Sequence, residues 1–344
     1  MAHELDFSKG QAAIAFRGAV PWHGLGESIL PEDSIDDIRI KAGLDYDVVK
    51  TPVQYQQTFL SPTLVPDNDP PIPESITKQS NDHCVLYRSD TGSPLSVVSP
   101  KYQVVQPKEV VEFYRDLTEK FGYELEVVGA LKGGKKVWAL ANTGNSLQLR
   151  DRDDVKGYLL LATSYDGTMA TQARFTSIRV VCNNTLTLAA NEGRADVTVP
   201  HSTKFDADRV KQALGIGEHW QQFSDAAREM QNRIVSRDET IRFLMDAYYS
   251  LSDDEAIKAH QADESKAKST EKFIERLTKA LFESPGAQLA SARGTLWGAM
   301  QAVTFDVDHQ LPSRTADSRL DKAWFGSGNA IKQRAWNRAL SMVG

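Results

Sequence analysis

The chain of 344 residues contains only two cysteines, Cys84 and Cys182. Two thiols cannot build a disulfide framework or a cysteine-rich zinc site, and both are expected to stay reduced in a cytosol. Charged residues interrupt every apolar run well short of the ~18 residues of a membrane span, so no membrane partner is expected. The opening segment, MAHELDFSKGQAAIAFRG, places two acids before its first base and has no apolar stretch, unlike a secretory signal. The glycine-rich dinucleotide and phosphate loops, GxSxG and HExxH are all missing. The histidines His23, His83, His201, His219 and His309 lie too far apart to follow a metal-ligand spacing. No cofactor and no metal is therefore expected, and a binding role is favoured over an enzymatic one.

What is present is an ordinary globular composition, 41% hydrophobic and 25% charged. The net charge of −6 is unevenly placed: residues 1–100 carry 7 bases and 14 acids, whereas residues 129–194 carry 9 bases and 5 acids. A basic face can therefore exist on an acidic protein.

The pattern divides the chain into three stretches. Residues 1–82 read as an N-terminal arm. It holds a short helix at 34–43, an alternating strand at 46–60, and a loop over 61–82 with prolines at 62, 66, 70, 71 and 73. Residues 83–200 read as an α+β core. Pro107 opens an amphipathic helix that Gly122 closes. Lys132-Gly133-Gly134-Lys135 turns one hairpin, and Tyr165-Asp166-Gly167-Thr168 turns a second between 159–164 and 169–176. Ser177 is expected to cap a helix running through Arg179 to Gly193. Residues 201–344 read as mostly helical. The fold class expected is α+β, with an antiparallel β-meander packed on helices in the N-terminal two-thirds and a largely α-helical C-terminal part.

The densest apolar segment, residues 157–190, should be the structural centre. Lys132, Lys135 and Lys136 cluster at one hairpin tip, and Arg174 and Arg179 follow on the same expected sheet. Together they could track a phosphate backbone, with Tyr165 stacking on a base and Asn183 reaching phosphate or base edges. Each has a plainer reading: solvated turn lysines, a packed tyrosine, and an asparagine satisfying backbone groups. Cys182 reads as a small core residue. Trp22 is expected to anchor the N-terminal arm. Trp324, Phe325 and Trp336 are expected to dock the terminal helix, whose Lys332, Arg334 and Arg338 would form a basic face.

Six blocks in order carry a resemblance. They are PWHGLG (21–26), SPKYQVVQP (99–107), TSYDGT (163–168), RVVCNNTL (179–186), LWGAMQAVTFDVDH (296–309) and AWFGSGNAIKQRA (323–335). Together they resemble the phage/plasmid-like family of domain of unknown function 932. The resemblance implies a mobile-element protein of a bacterial cytoplasm and supplies no catalytic residues. The expected order of helix, two hairpins and helix is also similar to the core of single-strand annealing proteins, which form rings or filaments on single-stranded DNA. The leading expectation is thus an oligomeric protein that binds single-stranded DNA and promotes annealing. The alternatives are a host-interaction module acting through a host protein, and a metal-dependent nuclease using Asp166, Asp306 and Asp308.

Overall fold

A computed structural model describes residues 6–7, 10–18, 25–60, 73–181, 184–187, 196–214, 218–251, 258, 264–312 and 316–344. The expectations for Trp22, His23, the proline-rich tip at 61–72, Cys182, Asn183 and Gly193 lie outside these residues.

The protein is α+β, as its patterning predicts. Eight strands form one sheet in the order β10-β9-β8-β7-β6-β1-β2, with β11 sharing the outer edge of β9. They are β1 (Ile14–Phe16), β2 (Glu27–Ser28), β6 (Glu124–Leu131), β7 (Lys136–Leu149), β8 (Asp153–Ser164), β9 (Thr171–Arg179), β10 (Asn184–Thr187) and β11 (Asp196–Val199). The β6–β9 meander is antiparallel throughout, with Leu140 opposite Leu160 and Leu160 opposite Arg174. Both predicted hairpins are present. The first turns through three consecutive left-handed residues, Lys132, Gly133 and Gly134, the conformation for which the glycines are suited.

A second, three-stranded sheet holds β3 (Val48–Leu60), β4 (Pro73–Arg88) and β5 (Pro94–Val98). Residues 73–82, predicted as loop, are thus strand, and β4 runs through the boundary drawn at residue 82. Prolines and acids argued for a loop, but pairing with β3 decides the conformation.

The helices are α1 (Ile35–Lys41), α2 (Pro107–Glu112), α3 (Arg115–Phe121), α4 (Ala207–Ala213), α5 (Glu218–Asn232), α6 (Arg237–Tyr249), α7 (Glu264–Glu283), α8 (Leu296–Phe305), α9 (Ala316–Phe325) and α10 (Ser327–Val343). The single helix predicted from Pro107 to Gly122 is α2 and α3, broken at Phe113–Tyr114, with Gly122 closing α3 in the left-handed conformation. Among the described residues, the helix predicted from Ser177 is replaced by strand. Ser177, Ile178 and Arg179 continue β9, and residues 184–187 return as β10. The run TSIRVV is rich in β-branched residues, which fit a pleated surface better than a helix.

Side chains alternate across β8 and split the core in two. Val155, Leu159 and Leu161 face the main core, which includes Phe113, Tyr114, Phe223, Trp297 and Trp336. Tyr158, Leu160 and Ala162 face the other way, with Trp138 and Leu140, against Leu320, Trp324 and Phe325 of α9. The main core draws on residues from Ala13 to Ala339, so all three stretches share it. Among the described residues, no helix is long and apolar enough to cross a membrane.

Candidate functional site

The alternation that builds the sheet also sorts the residues singled out from sequence. Lys136 lies opposite Ser164, and Arg174 lies opposite Leu160, which puts both on the α9 side. Lys132, in the adjoining turn, reaches the same helix. Arg179 lies opposite Val155 and faces the main core. Tyr165 also belongs to the main core. The predicted basic residues therefore divide between two faces.

On the main-core face the residues are structural. Arg179 is 2% exposed and Asp153 is fully buried. The guanidinium donates to Asp153 from Nε at 2.7 Å and Nη2 at 2.8 Å, and to the Gly286 carbonyl at 3.0 Å. Ser291 Oγ and Trp297 Nε1 complete the carboxylate shell at 2.6 and 3.1 Å. Tyr165, predicted at an exposed tip, is fully buried, and its hydroxyl donates to the Val105 carbonyl at 2.8 Å. Burial holds that hydroxyl well above the usual tyrosine range. Lys135 is half-buried, and its carbonyl accepts the Tyr165 N–H at 2.7 Å.

On the α9 face four cations converge. Lys132 donates to Asp321 at 2.6 Å, and Lys136, also bonded to Asp321, is buried. Burial opposes the Asp321 charge, but the hydrogen bonds from Lys132 and Lys136 outweigh it and hold the carboxyl below its usual range. Lys332 of α10 is 1% exposed and donates to Asp308 at 2.7 Å and to the Thr185 carbonyl at 2.8 Å. Burial lowers its affinity for the proton; Asp308 acts to raise it and the nearby Arg174 charge to lower it further. Lys332 is thus no part of an open basic helix face. Arg334 likewise donates to the Ala247 carbonyl at 2.9 Å, and Arg338 lies 3.5 Å from Asp246.

Arg174 is the exception. It is 5% exposed, yet its hydrogen bonds go to neutral oxygens: the Trp324 carbonyl at 3.3 Å and the Gln172 side chain. Its Nε is buried with no hydrogen-bond partner, and burial disfavours its charge, opposed only by the field of Asp196 across the β9–β11 pair, with which it forms no hydrogen bond. Buried guanidiniums are ordinarily paired with a carboxylate. Phe325 lies beneath this group, 5.6 Å from both the Arg174 and Lys136 cations. Trp324 meets Trp138 edge-on at 5.1 Å. The face therefore holds Lys132, Lys136, Arg174 and Lys332 against three carboxylates, Asp308, Asp321 and Asp196, the last opposite Arg174 on β11, with three aromatic rings beside them. Such an arrangement can bind an anion and offers stacking surfaces.

Sequence reading missed Asp321 and Asp308 as partners in this face. Lys332 was visible as a basic residue, but α10 buries it.

Two other arrangements are weaker. A cleft of about 370 Å³ opens beside α1 and α3, lined by Arg17, Asp33, Arg115, Glu119 and Glu124. Its cations meet at least as many carboxylates, and Arg115 is already held by Glu112 at 2.7 Å. The carboxylates considered for a nuclease do not converge. Asp166 caps its own turn at Thr168, Asp306 binds Tyr248 and Arg276, and Asp308 binds Lys332 and Thr185. Among the described residues, no group of three or more potential metal ligands gathers.

Residues 94–324, more than half of the chain, match the family described as Domain of unknown function (DUF932). No curated protein and no solved structure matches the chain.

Proposed function

We propose that this chain, which belongs to the DUF932 family, binds single-stranded DNA on the α9 face of its meander and promotes annealing as an oligomer. The observation that carries the proposal is Arg174, a buried guanidinium with no carboxylate within ion-pairing distance among the described residues. It stands on one face with Lys132, Lys136 and Lys332, where positive charge exceeds negative. A phosphate backbone supplies the missing anions. Trp138, which α9 covers, supplies once α9 moves a flat apolar surface of the kind on which unpaired bases stack. In the structure α9 lies over this face, and Asp321 occupies the position on Lys132 and Lys136 that a phosphate would take. Binding therefore requires α9 to yield. Arg179 and Tyr165 take no part, being committed to the core.

Fluorescence anisotropy with a labelled oligothymidylate, read across a salt series, tests the proposal. Affinity should fall steeply with salt, because bound phosphates release counterions. Arg174→Met should weaken binding and reduce the magnitude of the log–log salt slope by about one. The same variant should keep or raise the melting temperature, since an apolar side chain replaces a poorly compensated buried charge. Absence of binding at low salt, or an Arg174→Met variant that binds like the wild type, would overturn it.

A further inference from the structure

The three-stranded sheet ends in an arm on which, among the described residues, nothing is packed. β5 pairs with β4 only over residues 84–87, so beyond Pro52 the hairpin of β3 and β4 continues as two strands alone. Four residues of β4, 80–83, stand opposite Val53, and regular pairing resumes from Gln54–Gln79 to Leu60–Pro73. Residues 54–59 and 73–79 are all exposed. A two-stranded ribbon with both faces in water is marginal.

The two faces of the ribbon differ. Opposed residues share a face. One face carries the pairs Tyr55–Lys78, Gln57–Ile76 and Phe59–Glu74. It therefore holds all three of the arm's described side chains that are large, apolar and exposed: Tyr55 at 52%, Phe59 at 37% and Ile76 at 45% exposure. Up to the closing pair Leu60–Pro73, the other face carries Gln54, Gln56, Thr58, Ser75, Thr77 and Gln79, none of them charged or large and apolar.

The charges on the apolar face are self-complementary. Glu74 and Lys78 flank Ile76 symmetrically along β4. A two-fold axis crossing the strands at Ile76, midway between two stacked ribbons, reverses one strand over the other. It brings Glu74 of each copy to Lys78 of its mate, Tyr55 to Phe59, and Ile76 to Ile76. The outer strand supports the same occupant: Val53 to Leu60, VQYQQTFL, contains no charge, whereas edges kept apart from their own copies usually carry one.

We infer that the apolar face of this arm docks on the same face of a second copy of the chain. The contact supplies an interface for the oligomer in the reading above, but it is made without nucleic acid and is tested without it. Its footprint, roughly 23 Å by 10 Å from strand rise and spacing, is well under the ~800 Å² per partner of a stable interface. The arms therefore form a reversible contact and not a permanent dimer.

Sedimentation velocity of the full chain without DNA, from about 1 to about 100 μM, tests it. The wild type should shift from monomer towards dimer as concentration rises. Glu74→Lys and Lys78→Glu, both at exposed positions, should each abolish the shift by opposing like charges. An equimolar mixture of the two variants should restore it, and so should the double variant E74K/K78E. Restoration distinguishes pairing from damage to the arm. A wild type that stays monomeric throughout, a shift that survives in either single variant, or a mixture that fails to associate would each overturn the inference. None of these outcomes bears on whether the α9 face binds DNA.

Discussion

Arg174 and Arg179 lie five residues apart on one strand and are both buried, yet they hold opposite positions in the energetics. Arg179 has its carboxylate, and Ser291 and Trp297 also donate to Asp153 Oδ2. Removing one member of such a pair leaves the other charged and dry, at a cost of about 3–5 kcal/mol. Asp153→Ala and Arg179→Ala should each lower unfolding free energy by that amount in urea titrations. The double variant should cost clearly less than the sum, because the second removal abolishes the stranded charge. Arg174→Met, in contrast, removes a charge that has no such partner. The sequence made Arg179 conspicuous but concealed its partner, since Asp153 sits in an acidic cluster beside Arg150 and Arg152. The clue was alternation: Asp153 is in phase with Val155, Leu159 and Leu161, and so belongs to the core face.

Elements were legible where their signals were local. Glycine-bearing turns marked both hairpins, and Pro107 and Gly122 marked the ends of the α2–α3 segment. At 177–187 two local signals competed, a capping serine and a β-branched run, and cross-strand pairing with β8 decided for strand. At 73–82 no local signal for a strand exists, because the residues are exposed on both faces and gain their conformation only from β3. The start of α6 is a local device of the legible kind. Ser236 caps the helix and Glu239 reaches back to the Ser236 N–H at 2.8 Å, closing a capping box. That backbone bond, with those from Arg233 and Ser236 Oγ, pushes the Glu239 carboxyl down to about 2. A depressed carboxyl contributes stability above its unfolded value, and that stability is lost as pH falls through the folded one. Amide exchange of the first turn of α6 should therefore stay slow, after correction for intrinsic rates, down to about pH 4 and accelerate towards pH 2. Glu239→Gln should remove that pH dependence, and Ser236→Ala should cost about 1 kcal/mol at neutral pH and less towards pH 2, because the hydroxyl also stabilises the ionised carboxylate.

For the whole molecule, patterning predicts the α+β class and the meander, but not which helix covers which face. That depends on contacts such as Lys132 with Asp321, 189 residues apart in sequence. The covering helix governs how the proposed site would work. Asp321 binds both lysines, and Phe325 underlies Lys136 and Arg174, so α9 and a polyanion compete for one set of groups. When only an open fraction of molecules can bind, the apparent dissociation constant is the intrinsic one divided by that fraction. Asp321→Asn keeps the shape of the side chain and removes its charge, so it should loosen α9 while leaving Lys132 and Lys136 in place to bind. Affinity for oligothymidylate at low salt should rise, by up to about tenfold for each ~1.4 kcal/mol of lost closure energy. Proteolysis near residues 313–326 should become faster in the same variant. Lys136→Met removes a contact to α9 and a contact to DNA together, so it should speed proteolysis while weakening binding. If Asp321→Asn instead bound oligothymidylate no better than the wild type, α9 would be a fixed part of the fold and the DNA would have to be held elsewhere.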